Sequence, residues 1–452
     1  MQDGGTQREH WASRFGFLMA TAGYSIGLGN IWRFPYLVGS NGGGAFLLVY
    51  LIFAFVIGIP LLTAEIGLGR KAGLTPLAGM AKVRGSARSP WNAVAWLGVA
   101  TALLVQSYYV IVIGWILGYL LLIASGRLAA VEPQDLDTYF AEFTAAPGPI
   151  WLLTLLIVFA LGLIVSRGLR GGLERVASVA MPLLLVLLVA LAGRSLTFEG
   201  ALSGLTWYLT PDFSAIDGSV LLAALGQAFY SIGIGMAVAF GFGSYLGRKS
   251  DVPGNAAIVV CCATAIALLA GLVIFPALFA FALEPDAGPG LLFVTMTRLF
   301  DAMPAGSVFG ACFFFLLLLA AITSAAAVHE VLTMTLVDLL RFSRRRATWI
   351  CAGLFMTLAT PILLSQGPWT SARLFDMDLF TLADTATGTF LLPLGALVLA
   401  VYVARVWGFD AFRDEVNDGA GRFRVSAAWR PVVVWLIPLA VLVVMLTGFG
   451  VF

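Results

Sequence analysis

Charged side chains are scarce in this sequence, and their scarcity narrows the class of protein. Asp, Glu, Lys and Arg make up 11% of the 452 residues, whereas a typical soluble domain carries about 25%. Hydrophobic residues account for 60%, and the mean hydropathy is +0.96. The formal net charge of +2 gives no sign of the basic surface that nucleic-acid binding needs. These values predict an integral membrane protein without a nucleic-acid partner.

Metal-binding and catalytic patterns are also missing from the sequence. It contains four cysteines and two histidines, but no Cys-x-x-Cys pair, and the histidines are not spaced as metal ligands. The cysteines all fall inside apolar runs and are interpreted as small buried hydrophobes. No phosphate-binding loop and no nucleophile elbow occur. The sequence therefore predicts a protein that is not an enzyme.

Long apolar stretches dominate instead. A bilayer core of about 30 Å needs about 20 apolar residues per helix. By that measure we predict an all-α membrane protein with about eleven transmembrane helices, called spans 1 to 11 below. The predicted spans cover residues 11–37, 43–70, 90–124, 149–166, 172–192, 218–242, 254–283, 305–340, 347–365, 379–405 and 430–451.

The distribution of Lys and Arg predicts the orientation in the membrane. With the N-terminus in the cytoplasm, 21 of the 26 Lys and Arg residues fall on the inner side, as the positive-inside rule requires. The outer side receives only Arg33, Arg127, Arg194, Arg298 and Arg373. An odd number of spans then places the C-terminus outside. We expect a multi-pass protein of the bacterial inner membrane.

Spans 1 and 6 both carry closely spaced glycines at mid-depth. These are Gly23, Gly27 and Gly29 in span 1, and Gly233 and Gly235 in span 6. The two spans are five apart and so run in opposite directions, which is the pattern of two inverted five-helix repeats with broken first helices. The alternative is that the glycines only let neighbouring helices pack closely. The predicted single transporter domain covers 1–452, with repeats at about 11–192 and 218–405 and an extra helix at about 430–451.

A broken helix inside a membrane has a chemical consequence. Glycine costs a helix ~1 kcal/mol relative to alanine, so neighbouring glycines favour unwinding. The freed backbone groups cannot stay bare in lipid. A bound solute and cations can satisfy them, because a half-helix N-terminus favours a carboxylate and free carbonyls favour Na⁺ or an ammonium group.

Longer motifs carry a resemblance that covers nearly the whole chain in order. Residues 8–35 contain the runs Arg-Glu-His-Trp and Gly-Leu-Gly-Asn-Ile-Trp-Arg-Phe-Pro, and residues 41–46 read Asn-Gly-Gly-Gly-Ala-Phe. Shorter matches follow at Gly58-Ile-Pro60, Glu65, Gly69-Arg70, Tyr108-Tyr109, Gly226-Gln227 and Thr323-Ser324. With these motifs the chain resembles the neurotransmitter:sodium symporter family, in its bacterial amino-acid transporter branch. The resemblance implies alternating access and Na⁺-driven uptake of an amino acid.

The resemblance also implies binding sites for one or two Na⁺ ions. The second site of the family would use the carbonyls of Gly23, Ile26 and Ala320 and the hydroxyls of Thr323 and Ser324, and all five positions are filled compatibly. A Thr-Ser pair in a helix can alternatively bond to carbonyls of its own preceding turn.

The first sodium site is matched only in part. By resemblance it uses the Ser25 carbonyl, the Asn30 side chain and Ser231, but the expected fourth ligand, an Asn or Asp, is Ala263. A shift of one residue in the alignment would place Thr264 there. The alternatives are therefore a single Na⁺, or replacement of the first ion by a proton or a water.

A chloride requirement is not predicted. Chloride-dependent members of the family carry Ser one helix turn beyond the first sodium site, where this chain has Ala267. Tyr50 and Gln227 could still line a chloride site, but its key hydroxyl is missing.

The solute is predicted from position 27, where amine carriers of the family have Asp and this chain has Gly27. The resemblance then implies that the solute brings its own carboxylate, held by the N–H groups of Gly27 and Leu28 and by the Tyr109 hydroxyl. Its ammonium group would meet the carbonyls of Ser25, Tyr230 and Ser231. Its side chain would lie among Tyr24, Val105, Tyr230, Gly233, Met236, Ser324 and Val328.

This pocket contains no unpaired charge, so hydrophobic or aromatic side chains are expected. Met236 and Gly233 stand where a bacterial leucine carrier has Phe and Ser, and both are expected to create room for a larger solute. Whether Tyr24 narrows the pocket or points away stays open at this point.

Gates on both sides are implied by the resemblance. Arg33 and Asp384 would close the outer side, through water. Arg8 would pair inside with Asp338, and Trp11, Ser244 and Tyr245 would brace that pair. Such hydrated pairs are worth only ~0–1 kcal/mol, which suits a gate that must open.

Two further features concern the helix segments that alternating access would move. Glu65 is expected to brace unwound backbone, and the Gly-x₉-Pro spacing of Gly172 and Pro182 would let the inner end of span 5 unwind. A static proline kink is the alternative for span 5.

The predicted function is Na⁺-coupled symport of a hydrophobic or aromatic amino acid. Coupling to H⁺ or to one Na⁺ is the first alternative, and a substrate-binding sensor or channel is the second. The expected partners are the amino acid and the lipid bilayer, and the sequence leaves the oligomeric state open.

Overall fold

The computed structural model describes residues 9–283 and 291–448, and this part of the chain is built from helices joined by turns. Within it, the strand-like contacts are two isolated bridges, Gly43 with Pro211 and Leu374 with Met377. Nine continuous helices of the described chain are long and apolar enough to cross a membrane. They are Gly44–Ala72 (span 2), Pro90–Ala124 (span 3), Pro147–Ser166 (span 4), Leu169–Ser195 (span 5), Val252–Ala280 (span 7), Gly306–Leu340 (span 8), Arg344–Leu364 (span 9), Leu379–Trp407 (span 10) and Trp429–Thr447 (span 11).

Two more spans are interrupted. Span 1 consists of the helix Arg14–Ser25 and, after a break, the π-helical turn Gly29–Arg33 that continues into the helix Phe34–Ser40. Span 6 consists of Gly218–Ile232 and Val238–Gly243. Together with the nine continuous helices they give eleven spans in the described residues. The predicted fold class is confirmed, and the span ends differ from prediction by only a few residues.

The inner half of span 1 lies at the centre of the bundle. It packs against spans 5, 7 and 8, and residues 20–25 are buried. Span 8 in turn runs along span 3. The break in span 1 is therefore surrounded by protein rather than lipid, as unpaired backbone groups require.

Span 2 and the inner half of span 6 touch backbone to backbone. A Cβ on Gly69 would overlap the Phe240 carbonyl, and a Cβ on Gly243 would overlap the Ile66 carbonyl. Because nothing larger than hydrogen fits at either glycine, no side chain separates the two helices there.

Five shorter helices cover the two ends of the bundle. They are Pro76–Arg84, Leu136–Ala145, Ala201–Leu209, Thr295–Ala302 and Phe409–Asn417. Buried Arg70 fastens the last of these to span 2, because its Nε lies 3.2 Å from Glu415 Oε1. Arg70 also donates to the carbonyls of Ser250 and Asp418, each at 2.9 Å. The loops on this face are thereby held together around the end of span 2.

Several other spans contain a π-helical turn, a feature that is frequent at functional sites. These turns are Ala54–Gly58, Leu169–Glu174, Ala386–Leu391, Tyr402–Trp407 and Val432–Leu436.

Candidate functional site

The first helix of span 1 ends where the chain must pass close to two other spans. After Ser25 the backbone leaves the helix at Ile26, with φ −93° and ψ 78°. A Cβ on Gly27 would lie 2.7 Å from the Tyr109 hydroxyl oxygen and 3.0 Å from Ser324 Oγ. Gly27 therefore allows an approach to spans 3 and 8 that a side chain would prevent.

The break in span 6 depends on left-handed backbone. Gly233 has φ 77° and Gly235 has φ 87°, values that glycine adopts without strain. The N–H groups of Gly233 and Ile234 both bond to the Phe229 carbonyl, at 2.8 and 3.1 Å, which terminates the helix. Ala237 also has a positive φ, of 54°, so this alanine is held in a strained conformation by its surroundings.

Glu65 of span 2 is buried beside this unwound segment. One carboxylate oxygen accepts the N–H of Gly235 at 3.4 Å. The other has no hydrogen-bond partner within the described chain. The side chain therefore lies at the unwound segment, where a bracing role was expected.

A small cavity lies between the two breaks. Its volume of about 30 Å³ suits roughly one or two water molecules, so a larger solute requires its walls to move apart. The wall residues are Tyr24, Ser25, Gly27, Gly29, Val105, Gln106, Tyr109, Tyr230, Met236, Ser324 and Val328. Most of the residues predicted to contact the solute are thus brought together around one space.

Hydrogen-bonding groups cluster at one end of the cavity. The Tyr109 hydroxyl accepts the N–H of Leu28 at 3.1 Å, and Gly27 lies directly beside it. The hydroxyl keeps its own proton to donate. An N–H group and an O–H group close to a half-helix N-terminus are suited to binding a carboxylate.

The other end of the cavity is apolar. Val105, Met236 and Val328 form it together with the Tyr230 ring. Gln106 was not predicted, although it lines the same space. Its Nε2 donates to the Ala325 carbonyl at 3.2 Å, and its Oε1 has no partner in the described chain. A lone glutamine within the apolar run of span 3 was the sequence signal for this residue.

Three predicted residues do not line the cavity but are bonded to residues near it. Leu28 contributes its backbone N–H to Tyr109, as described above. Ser231 accepts a hydrogen bond from Gln227 Nε2 at 2.8 Å. Gly233 accepts one, through its carbonyl, from the Tyr24 hydroxyl.

The expectation that Gly233 creates room for solute is wrong. The space that a side chain at position 233 would occupy is filled by the Tyr24 ring, which a Cβ on Gly233 would overlap. Tyr24 lines the cavity and bonds to the Gly233 carbonyl. Tyr24 therefore narrows the pocket, because it takes up the volume that the glycine leaves.

Oxygen atoms converge at the expected second cation site. Thr323 Oγ1 lies 2.9 Å from the Ala320 carbonyl and 3.4 Å from the Gly23 carbonyl. Ser324 Oγ donates to the Tyr24 carbonyl at 3.1 Å. Thr323 also bonds to the Leu319 carbonyl of its own helix at 3.1 Å. Uncharged oxygens of this kind are the ligands that a hard cation such as Na⁺ prefers.

Met181 of span 5 was not predicted to lie at this site. Its sulfur is 3.9 Å from Thr323 Oγ1 and would be 3.3 Å from a Cβ on Gly23. It immediately precedes Pro182, so its place in the Gly-x₉-Pro segment was the available signal. A thioether closes the side of the site that faces span 5.

The expected first cation site is only partly assembled. The Asn30 amide nitrogen donates to the carbonyls of Ser25 and Ala263, at 3.1 and 3.3 Å. Its Oδ1 is buried and has no partner in the described residues, and the same is true of Thr264 Oγ1. Ala263 therefore faces Asn30 with its backbone alone. The Thr264 hydroxyl lies near Tyr50, which is also close to Ser231.

The outer-gate residues do not contact each other directly. No nitrogen of Arg33 lies within 4.0 Å of an Asp384 carboxylate oxygen, the limit for an ion pair. Arg33 donates to Gln227 Oε1 at 3.0 Å and stacks 4.9 Å from the centre of the Tyr230 ring. The closure by Arg33 and Asp384 through water stays a prediction.

The predicted inner pair of Arg8 and Asp338 stays a prediction, because Arg8 lies outside the described residues. The other residues named for this gate have the following contacts. The Trp11 indole donates to the Phe242 carbonyl at 3.2 Å. Ser244 Oγ donates to the Gly241 carbonyl at 2.5 Å. Asp338 Oδ2 accepts bonds from the backbone N–H and hydroxyl of Thr75, at 2.8 and 2.6 Å.

A buried ion pair next to this network was not predicted. Arg344 Nη1 lies 2.6 Å from Glu330 Oε2, and its Nη2 lies 3.0 Å from Oε1. The Tyr245 hydroxyl donates to the same carboxylate at 3.1 Å. A glutamate deep in span 8, close to an arginine-rich loop, was the sequence signal. The pair joins the start of span 9 to the inner gate.

The inner end of span 5 is wound as the π-helical turn Leu169–Glu174, and Pro182 lies within the helix that follows. A Cβ on Gly172 would overlap the Ile164 carbonyl of span 4. Gly172, one of the two residues expected to permit unwinding, is therefore in contact with span 4 in the wound form.

With this geometry in place, the chain can be compared with known proteins. The profile of the sodium:neurotransmitter symporter family matches residues 8–133 and 140–452. The chain belongs to this family. The uncharacterized sodium-dependent transporter YhdH of Bacillus subtilis is 35% identical over 442 residues, which cover 98% of each chain. An uncharacterized sodium-dependent transporter of Haemophilus influenzae is 34% identical over 455 residues, also 98% of each.

A solved structure agrees with the fold. The crystal structure of MhsT in complex with L-phenylalanine superposes with a TM-score of 0.90 and 37% sequence identity, and the match covers 98% of this chain and 100% of that one. Membership of the family confirms the resemblance seen in the sequence. The chain is a membrane transporter of a sodium-dependent family rather than an enzyme.

Proposed function

We propose that this protein carries a hydrophobic or aromatic amino acid into the cell by Na⁺-coupled symport. The observation that carries the proposal is the meeting of two broken helices around one cavity with a polar end and an apolar end. Alternating access would expose this cavity to each side in turn. We assign the mechanism to one domain, 1–452, with inverted repeats at 11–192 and 218–405 and an extra helix at 430–451.

The solute class follows from the two ends of the cavity. A carboxylate would bind the Leu28 N–H and the Tyr109 hydroxyl, and Gly27 leaves no room for a carboxylate of the protein's own. The wall of Val105, Met236 and Val328 favours an apolar side chain. MhsT, which has a similar fold, is described in complex with L-phenylalanine, and this supports an aromatic solute here.

We propose that one Na⁺ binds at the second site, among Gly23, Ile26, Ala320, Thr323 and Ser324. The converging oxygens of Gly23, Ala320 and Thr323 support it. A second Na⁺ at Ser25, Asn30 and Ser231 has weaker support, because Ala263 supplies no side-chain ligand. Chloride is not required in this proposal, since Ala267 has no hydroxyl.

Coupling to H⁺ is the second candidate, and a specific observation favours it. Ala263 and Ala267 leave the first cation site without a carboxylate or carboxamide from span 7. Buried Glu65, with one oxygen unpartnered in the described chain, lies beside the span 6 break. A transporter that moves a proton in place of one Na⁺ would be consistent with both features.

The proposed location is the bacterial inner membrane, with the N-terminus in the cytoplasm. The loops and the N-terminal segment on that face contain most of the Lys and Arg residues, as the positive-inside rule requires. The predicted outer C-terminus, residues 449–452, lies outside the described residues.

Transport by reconstituted protein tests the proposal. Labelled phenylalanine uptake into proteoliposomes should require an inward Na⁺ gradient and should not respond to a pH gradient alone. Thr323→Val, which removes one Na⁺ ligand, should abolish the Na⁺ dependence. Thr335→Val is the matched control, because the hydroxyl of Thr335 in the same span bonds, among the described residues, to the Val331 carbonyl of its own helix, at 2.7 Å. Uptake that ignores Na⁺ and follows the pH gradient would favour the H⁺ alternative.

A further inference from the structure

A second cavity lies apart from the central site, on the face that carries the N-terminus and most of the Lys and Arg residues. Its volume is about 770 Å³. Its walls come from the start of span 1, the link between spans 6 and 7, the first turn of span 7 and the loop before span 11. None of the proposed solute ligands lines it, although Trp11 and Tyr245 of the expected inner gate do.

Both signs of charge face this cavity. Arg14 Nε lies 2.8 Å from Asn255 Oδ1, and Arg14 Nη2 lies 3.3 Å from Asp251 Oδ2. Asp251 also accepts the N–H of Gly254 at 3.0 Å, which fixes its carboxylate at the start of span 7. The Arg14 side chain is 56% exposed and that of Asp251 is 17% exposed. Each therefore keeps part of its polar surface available to a ligand.

Lys249 adds a second cation to the same wall. It is exposed, and it forms no ion pair with any residue that the structure describes. The cavity therefore holds two fixed cations and one carboxylate. Because the cations outnumber the carboxylate by one, a ligand with one carboxylate would balance the charge of the cavity. Asp251 can in addition accept a hydrogen bond from an ammonium group.

The remaining wall is aromatic. Trp11 lines the cavity and is only partly buried. It packs edge-to-face on Phe17, which is fully buried behind it, with ring centroids 5.5 Å apart. An apolar side chain placed against the Trp11 ring would gain stabilisation from the area that it buries.

We propose that this cavity binds a free zwitterionic amino acid from the cytoplasmic solution, of the same apolar class as the transported solute. Its carboxylate binds Lys249 and Arg14, its ammonium group binds Asp251, and its side chain packs on Trp11. A free phosphate fits less well, because Asp251 repels it and the aromatic wall offers it nothing. This inference rests on the proposed function for the identity of the solute and of the face.

The consequence is regulation by the delivered product. The ligand bridges the inner half of span 1, through Arg14, to the link that carries Lys249 and to the first turn of span 7. Opening of the inner side requires the inner half of span 1 to leave its neighbours. A bound amino acid therefore slows opening, and uptake falls as the product accumulates inside.

Two variants probe the cavity without touching the central site. Gly247 lines the cavity and has no heavy atom within 4 Å of the place where its Cβ would be, so Gly247→Leu fills the space without a clash. Lys249→Gln removes the unpaired cation. Gly353→Leu is the matched control, because Gly353 in span 9 also has open space at its Cβ. Arg88→Gln, in the loop before span 3, controls for loss of a cation on the same face.

The test is equilibrium dialysis of labelled phenylalanine against purified full-length protein, with and without Na⁺. Without Na⁺, the wild type should show saturable binding with a Kd of about 1 mM, the range of a site with few polar contacts. Binding should weaken about tenfold in Gly247→Leu and about threefold in Lys249→Gln, and should be unchanged in both controls. Inorganic phosphate should not compete.

Each other outcome has a definite meaning. The inference is overturned if the wild type shows no binding of phenylalanine without Na⁺, or if Gly247→Leu binds as well as the wild type. Displacement of phenylalanine by phosphate would also overturn it. Failure of the proposed function has a different signature, the absence of Na⁺-dependent binding in the wild type and in the controls. In proteoliposomes, phenylalanine loaded at ten times the Kd should slow uptake by the wild type, whereas Gly247→Leu should keep its full rate.

Discussion

The Tyr24 hydroxyl donates a hydrogen bond to the backbone carbonyl of Gly233, so a side chain from one broken helix closes on the unwound backbone of the other. The tyrosine ring occupies the space that a side chain at position 233 would need. The two residues are therefore complementary, and the width of the pocket depends on both of them together.

Gly233→Ser should weaken Na⁺-dependent binding of phenylalanine by about tenfold or more. The φ of 77° at this position costs a residue with a Cβ about 1–2 kcal/mol, and Tyr24 must also move. The double variant Tyr24→Asn with Gly233→Ser should recover part of the affinity, because the asparagine vacates the space. Gly171→Ser, at a position with open surroundings, is the control. If Gly233→Ser alone bound phenylalanine normally, Tyr24 would not occupy the space beside residue 233.

Tyr109→Phe should reduce affinity for the amino acid by about 10- to 100-fold. It leaves the Leu28 N–H without an acceptor and removes a donor to the carboxylate, a loss of about 1–3 kcal/mol. Tyr119→Phe is a matched control in the same span, since the Tyr119 hydroxyl has no hydrogen-bond partner in the described chain. Affinity for the acid should fall, and the melting temperature of the ligand-free protein should also fall, because the buried Leu28 N–H loses its acceptor. Equal effects of the two substitutions would contradict the assignment.

Met236→Phe should penalise tryptophan more than leucine. Met236 lines the apolar end of the cavity, and exchange of a flexible thioether for a rigid ring reduces the space available to the largest solutes. Competition by each amino acid against labelled phenylalanine measures the ratio. Equal losses for tryptophan and leucine would mean that position 236 does not contact the solute side chain.

Ala263→Asn should increase the cooperativity of Na⁺ activation. The new carboxamide would lie opposite Asn30, whose Oδ1 is buried without a partner in the described residues, and the two oxygens would complete a cation site. The Hill coefficient for Na⁺ should rise from about 1 toward 2. Ala267→Asn, one turn further along span 7, is the control. A wild type that already shows a coefficient near 2 would refute the single-ion assignment.

Arg344→Gln should destabilise the protein strongly. It leaves the fully buried Glu330 carboxylate without its cation, and breaking one partner of a buried pair costs about 3–5 kcal/mol. The double variant Arg344→Gln with Glu330→Gln should be more stable than the single one, because no uncompensated charge remains. Thermal unfolding of purified protein measures both. Arg346→Gln, at an exposed neighbouring position, should leave the melting temperature unchanged.

The spans and the two broken helices could be predicted because they depend on local sequence. Apolar length determines a transmembrane helix, and the φ values of 77° and 87° at Gly233 and Gly235 are conformations that glycine makes accessible. The identity of most cavity residues followed from motifs in the same segments. These features can be predicted without knowing which side chains of different spans are in contact.

The contacts that were missed all join two different spans. Gln227 binds Arg33, Tyr24 fills the space beside Gly233, and Arg344 neutralises Glu330. Each depends on the direction of one side chain and on what its neighbours leave free. The sequence shows that Glu330 lies within a transmembrane span. The distance from Glu330 to Arg344, however, depends on how spans 8 and 9 pack in the folded protein.

The glycine contact between span 2 and span 6 bears on which helix moves in the proposed alternating access. With Gly69 against Phe240 and Gly243 against Ile66, these two helices have no layer of side chains between them, and we expect them to move together. The inner half of span 1 meets span 6 through the Trp11 indole and its 3.2 Å bond to the Phe242 carbonyl. We therefore expect hinge motion at the inner side to occur in span 1, at the break that begins at Ile26.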